Sequence, residues 1–113
     1  MSIVGSWTFN QTFTNPPQTD PPFTILFNED GSITVPTPPP GTTFLGIWSQ
    51  VLAGVTLAIA SFDSAPSEVP PSVVLYAGAV ELNGSTMAGL LKAGIQSSTP
   101  TVTGGSWSAT RNS

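Results

Sequence analysis

Every tryptophan of the chain sits in one short pattern, Gly-x-Trp followed by a hydroxyl residue. The copies are Gly5-Ser6-Trp7-Thr8, Gly46-Ile47-Trp48-Ser49 and Gly105-Ser106-Trp107-Ser108. In a strand, residues i and i+2 share a face, so each glycine is expected to leave room beside its own ring. A large ring next to a missing side chain suits the inside of a tightly curved sheet. One copy opens the chain and another lies in its last segment, as a closed barrel requires if its first and last strands meet. The copies are unevenly spaced, which marks a packing solution and not a duplicated unit.

Eight strand-like blocks appear between turn signals, at 3–12, 23–28, 32–35, 43–51, 55–62, 72–82, 86–95 and 106–110. None has the 3.6-residue period of an amphipathic helix. Asn28-Glu29-Asp30-Gly31 predicts a type I turn closed by a left-handed glycine, pairing Phe27 with Ile33 and Ile25 with Val35. Asn83-Gly84 predicts a two-residue hairpin with positive φ at both positions, pairing Val80 with Met87 and Tyr76 with Leu91. Ala53-Gly54 predicts a third, with Trp48 beside Ile59. The other connections hold all 12 prolines; proline cannot donate to a ladder, so these segments are expected between strands, framing a barrel mouth. Consecutive hairpins without helical crossovers predict an all-β fold, an eight-stranded antiparallel up-and-down (meander) β-barrel, in one domain, 1–113.

Composition removes whole classes of chemistry. Cysteine and histidine are absent, so there is no disulfide, no thiolate or imidazole for catalysis, and none of the usual zinc or haem ligands. No cofactor or metal is expected. Charged residues make up 7% of the chain, against about 25% in an ordinary soluble domain. Lys92 and Arg111 are the only cations, and the net charge is -4. Phosphate backbones are held chiefly by lysine and arginine, so nucleic acid is not an expected partner, and anionic membrane surfaces are disfavoured likewise. No apolar run reaches the length of a membrane span, so membrane insertion is not expected. The first residues carry no basic segment before an apolar stretch and read as no signal peptide. Cytoplasm is then the default compartment; a secreted mature form is the alternative that the Ser/Thr/Pro-rich, lysine-poor composition suits.

The registers separate two faces. Trp7, Phe9, Ile25, Phe27, Ile33, Val35, Phe44, Trp48, Leu57, Ile59, Tyr76, Val80, Met87, Leu91 and Trp107 fall on mutually consistent inner positions. The outer face of strands four to seven is also apolar, with Leu45, Ile47, Ala58, Ala60, Val73, Leu75, Ala77, Ala79, Ala88 and Leu90. A sheet with one wet face alternates more cleanly. An exposed apolar surface of this extent, with little charge to keep copies apart, predicts a homo-oligomer packed through these outer faces.

An N-terminal Gly-x-Trp on the first strand, with an arginine on the last, resembles the calycin superfamily of lipocalins, avidins and fatty-acid-binding proteins. The resemblance implies an eight-stranded barrel in which the first-strand tryptophan packs at one end beneath a basic residue of the final strand. Trp7 and Arg111 match those positions, as structural closure rather than binding residues. The chain lacks the avidin pattern after its first strand, and it lacks the disulfide and late helix of secreted lipocalins. Ser61-Phe62-Asp63-Ser64-Ala65-Pro66 echoes an avidin-like loop, but six residues do not assign a ligand.

Ligand pockets are mostly apolar with a few convergent polar groups. Among inward candidates, Trp48, Trp107 and Tyr76 can stack a flat or greasy molecule, Phe44 and Met87 extend the apolar wall, and Gln50 can orient it. Gln11 and Ser61 are further inward polar residues. Packing is nonetheless the default role of any single tryptophan, because eight-stranded interiors are often solid. Glu29 and Asp30 belong to a turn, Asp20, Asp63 and Glu68 to proline-rich loops, and Glu81 to a hairpin end. None has a visible reason to be buried, as acid–base catalysis needs. Asn10-Gln11-Thr12 and Asn83-Gly84-Ser85 match the glycosylation acceptor pattern and read as incidental. The expected function is non-enzymatic binding of a small hydrophobic or aromatic molecule. A cyclase- or isomerase-type barrel enzyme and a carbohydrate-binding or interaction module are the alternatives.

Overall fold

The computed structural model describes residues 2–14, 17–38, 40–63, 71–95 and 101–112. Among them nine strands form one antiparallel sheet: β1 (Gly5–Thr14), β2 (Pro17–Thr19), β3 (Phe23–Phe27), β4 (Ser32–Thr34), β5 (Thr42–Val51), β6 (Gly54–Asp63), β7 (Ser72–Val80), β8 (Thr86–Ile95) and β9 (Thr101–Arg111). Eight of them run in meander order β1-β3-β4-β5-β6-β7-β8-β9. β1 then pairs with β9, from Trp7↔Arg111 to Phe13↔Gly105, and closes the barrel. The fold class is the one the hairpin pattern predicts.

The ninth strand departs from the expectation that proline segments lie wholly between strands. β2 pairs with the end of β1 through Thr12↔Thr19, Phe13↔Gln18 and Thr14↔Pro17. Pro17 is its first residue, a place where a missing donor is tolerated. β9 also reaches back to Thr101, earlier than the turn signals suggest, while β7 stops at Val80.

The three hairpins differ in how closely they follow local sequence. At 28–32 the Gly31 N–H donates to the Asn28 carbonyl at 3.1 Å, the Asn28 N–H to the Ser32 carbonyl at 3.0 Å, and Gly31 has φ 88°. Phe27 faces Ile33 as predicted. Ser32 donates its hydroxyl and N–H to the Asp30 carboxylate, at 2.5 and 2.9 Å, and so holds this exposed acid below its ordinary range. At the β7–β8 connection the predicted register holds, with Val80 facing Met87 and Tyr76 facing Leu91. The turn is a different one: only Gly84 has positive φ, its N–H donates to the Glu81 carbonyl, and Asn83 Oδ1 accepts from the Ser85 N–H. An asparagine that bonds the backbone two residues on has no need of the left-handed region.

The third hairpin corrects the expected pairing. Val51 faces Gly54, so Leu52 and Ala53 form the turn, and Trp48 lies opposite Leu57 while Gly46 takes Ile59. Leu52 carries φ 55° and is almost fully exposed. The slip amounts to two residues, which leaves every side chain on its predicted face because the strand period is two. Ile33, Leu57, Tyr76, Val80, Met87 and Leu91 are accordingly all inside.

The three motif glycines do not make room for their own rings. A Cβ on Gly5 would stand 3.3 Å from Arg111 Nη1, one on Gly46 would crowd Ile33 Cβ at 2.9 Å, and one on Gly105 would overlap the Thr12 carbonyl. Each admits a neighbouring strand or its side chain. Space for the Trp107 indole comes from Gly78 on β7, where a Cβ would stand 2.8 Å from the ring. Trp107 faces Gly89, Gly89 faces Gly78, and the ring lies across both, with Nε1 donating to the Leu90 carbonyl at 3.1 Å.

At one end the barrel is packed solid. Ile3, Trp7, Phe9, Ile25, Phe27, Val55 and Met87 have essentially no exposed surface. Trp107 stacks on Phe9 with centroids 5.2 Å apart and planes within 5°, while Tyr76 meets both rings edge-on. The Arg111 guanidinium lies over Trp7, 4.6 Å from the ring centre, and donates to the carbonyls of Ser2, Val4 and Gly84. Trp7 Nε1 donates to the Ile3 carbonyl at 2.8 Å. Trp7 and Arg111 thus stand together at the closed end of the barrel.

Candidate functional site

The other end is hollow. β3 has five residues and β4 three, whereas β1 and β5 have ten each. The wall between β1 and β5 is therefore short, and above it the segments around β2 and after β4 take over. Pro21, Pro22, Val35 and Thr37 from those segments, together with inward residues of β1 and β5–β9, enclose a cavity of about 720 Å³. Prolines suit such a wall, because a stiff segment keeps its shape without ladder bonds.

Most of the lining is apolar: Phe13, Phe23, Phe44, Ile59, Val74 and Ala93, with Ser61 and Ser72 on one side. The two serine hydroxyls bond each other at 2.8 Å. The floor is Tyr76, whose hydroxyl donates to Gln11 Oε1 at 2.6 Å. Gln11 Nε2 then donates to Asp20 Oδ2 at 2.7 Å, and Gln18 Nε2 to Asp20 Oδ1 at 2.8 Å. The Asp20 N–H donates back to the Gln11 carbonyl. Burial, and after it the negative charge of Asp20, push the Tyr76 phenol well above its ordinary range. Tyr76 is thus a fixed donor, and its bond orients the Gln11 amide with the NH₂ toward the carboxylate.

The residues singled out by sequence divide sharply. Tyr76 and Phe44 line the cavity, as do Gln11 and Ser61. Trp107 and Met87 are buried in the solid half. Trp48 packs edge-on against Phe27 at 5.8 Å and donates Nε1 to the Asn28 carbonyl, away from the cavity. Gln50 is at the plugged end, where Oε1 accepts from the Ile3 N–H at 3.1 Å and Nε2 donates to the Leu52 carbonyl. These four belong to the packing, because the solid half takes up the widest rings and the end of β5 meets the N-terminal segment.

Asp20 is the polar cavity residue that sequence reasoning missed. Gln18 and Asp20 stand at i and i+2 of an extended segment and so share a face; that alternation was the available signal, and it becomes meaningful only once β2 pairs with β1. Glu68, the stretch 64–70 and the connection 96–100 lie outside the described residues. Among the described residues no group of three or more carboxylate, histidine or cysteine side chains converges as a metal site would require.

Comparison of the chain with protein-family models, with curated proteins and with solved structures finds no match.

Proposed function

We propose that this chain is a non-enzymatic barrel that binds a small hydrophobic or aromatic molecule in the cavity above Tyr76. The observation that carries the reading is the half-filled interior: about 720 Å³ of open space above a floor of stacked rings. That volume lies within the range of small-molecule sites, roughly 300–1,000 Å³, and the lining has their character, apolar with a few placed polar groups. Phe13, Phe23 and Phe44 supply flat apolar area, and Ser61, Ser72 and the Gln11–Tyr76 pair supply polar contacts.

The test is uptake of a neutral lipophilic dye followed by fluorescence. Val74 projects into the cavity, and Val74→Trp fills it. Wild-type protein is expected to bind dye in the micromolar range, and Val74→Trp to weaken binding by roughly tenfold or more with little change in Tm, since a half-empty site does not resist the added ring. Wild-type protein that leaves the dye unbound overturns the reading.

The cyclase-type alternative is less favoured, since the Tyr76 hydroxyl on the cavity floor is bonded to Gln11. A carbohydrate-binding role would require exposed rings; Trp7 and Trp107 are buried, and Trp48 is half-buried with its Nε1 bonded to the Asn28 carbonyl.

Two copies of this chain are proposed to pack through the outer face of β5–β8. Leu45, Ile47, Leu75 and Leu90 are 62%, 69%, 56% and 71% exposed, and the pairings Ile47↔Ala58 and Ala58↔Leu75 set them in rows across the sheet. The double variant Ile47→Lys/Leu75→Lys is expected to be monomeric by sedimentation at concentrations where the wild type is not. A wild type that is already monomeric at high concentration removes this part of the proposal.

A further inference from the structure

We propose that the cavity selects a cationic amphiphile, a molecule with a compact hydrophobic body and a protonated amine that seats against Asp20. The inference rests on the binding reading above and names the ligand class of the same site.

The first argument is charge. Asp20 is the only charged residue among the described residues that line the cavity. Its two carboxylate oxygens are held by the amides of Gln11 and Gln18, at 2.7 and 2.8 Å. Both partners are neutral donors, and a carboxylate has about four acceptor positions, so capacity for a further donor is left. Neither cation of the chain is at hand. Arg111 is engaged at the plugged end with Trp7 and three carbonyls, and Lys92 is an exposed residue of the outer face. A carboxylate at the edge of an apolar cavity attracts a positive group more strongly than one in open water. Among the described residues that line the cavity there is no positive group.

The second argument is the surrounding surface. Phe13, Phe23, Phe44 and Tyr76 also line the cavity, and aromatic faces attract an ammonium while giving nothing comparable to a carboxylate. The hydrogen-bond direction agrees. Tyr76 donates into Gln11 and Gln11 donates into Asp20, so acceptor character is gathered at the aspartate end. An anionic head placed there would meet like charge with no cation to offset it. A neutral alcohol would gain one ordinary hydrogen bond; an ammonium gains a charge-assisted one and the cation–π contacts.

The test is displacement of the bound neutral dye by three molecules sharing one body: 4-phenylbutylammonium, 4-phenylbutanol and 4-phenylbutyrate. On wild-type protein the ammonium is expected to compete roughly 10- to 100-fold better than the alcohol, and the carboxylate to be weakest. Asp20→Asn keeps the shape and much of the amide network; with both competitors measured against the same dye on that variant, ammonium and alcohol are expected to compete within about threefold of each other. Equal competition by ammonium and alcohol on wild-type protein, or an ammonium preference that survives Asp20→Asn, overturns the inference and leaves the hydrophobic-binding reading standing. Absence of dye binding to wild-type protein overturns both.

Discussion

Gly89→Ala is expected to cost this protein at least about 3 kcal/mol of stability, lowering Tm by roughly 10–20 °C. The reason is geometric. A Cβ at position 89 would stand 2.5 Å from Gly78 Cα and would overlap the Ala77 carbonyl oxygen. Those are backbone atoms of the neighbouring strand, and they cannot swing aside as the end of a side chain can. Relief requires β7 and β8 to separate, and the Trp107 ring lies across that line with Nε1 bonded to the Leu90 carbonyl. The cost therefore spreads to the Phe9–Trp107 stack and to the floor of the cavity. Gly94→Ala on the same strand is the control, since a Cβ there meets nothing within 4 Å. It is expected to be neutral or to gain up to about 1 kcal/mol from a less flexible unfolded chain. Thermal unfolding of the two variants checks both statements, and similar Tm values would dismiss the close-approach argument.

Arg111→Met should produce the next largest loss, about 2 kcal/mol and roughly 10 °C in Tm. Methionine keeps much of the apolar stem and removes the charge. Three carbonyls, of Ser2, Val4 and Gly84, then lose a donor together, and Trp7 loses the cation above its ring. The guanidinium is only half-buried, so the figure is set well below the sum of three isolated charge-assisted bonds. Arg111→Lys should recover only a small part, because one ammonium cannot span three acceptors in a planar fork. The local signature is hydrogen exchange at the first residues: the Ile3 amide, held by Gln50, should exchange faster in Arg111→Met than in the wild type. Unchanged exchange there alongside a lowered Tm would mean that the arginine acts elsewhere than on the N-terminal segment.

The fold was legible where local cues agreed with one another. The Asn28–Gly31 turn combines residue preferences, alternation on both sides and a glycine with positive φ, and its register came out as read. The β5–β6 register did not, because the chain turns through Leu52, a residue with no preference for positive φ, and leaves Gly54 inside β6. No local propensity predicts that choice; it follows from which residues the neighbouring strands must meet. Inward and outward faces survived the slip, since parity along a strand is a coarser property than register.

The site was less legible than the fold, for a related reason. Tyr76 and Phe44 could be placed by parity alone. Trp48, Trp107, Met87 and Gln50 could be placed on the inner face but not at a height along the barrel axis, and height decides between solid core and cavity wall. Asp20 depends on a short strand whose pairing begins at a proline, and nothing in its immediate neighbours marks it as part of a wall.

The β1–β9 seam has a bearing on the sheet's open edges. An open sheet leaves two rows of unpaired amides and carbonyls, and proteins commonly shield such borders with lysines or inward-pointing charges. With two cations in the whole sequence, that protection is not available here. Joining the first strand to the last removes the borders along that seam instead of guarding them. Along that seam the ring closure thus stands in for the electrostatic defences that the composition omits, and the Trp7–Arg111 clasp sits at its start.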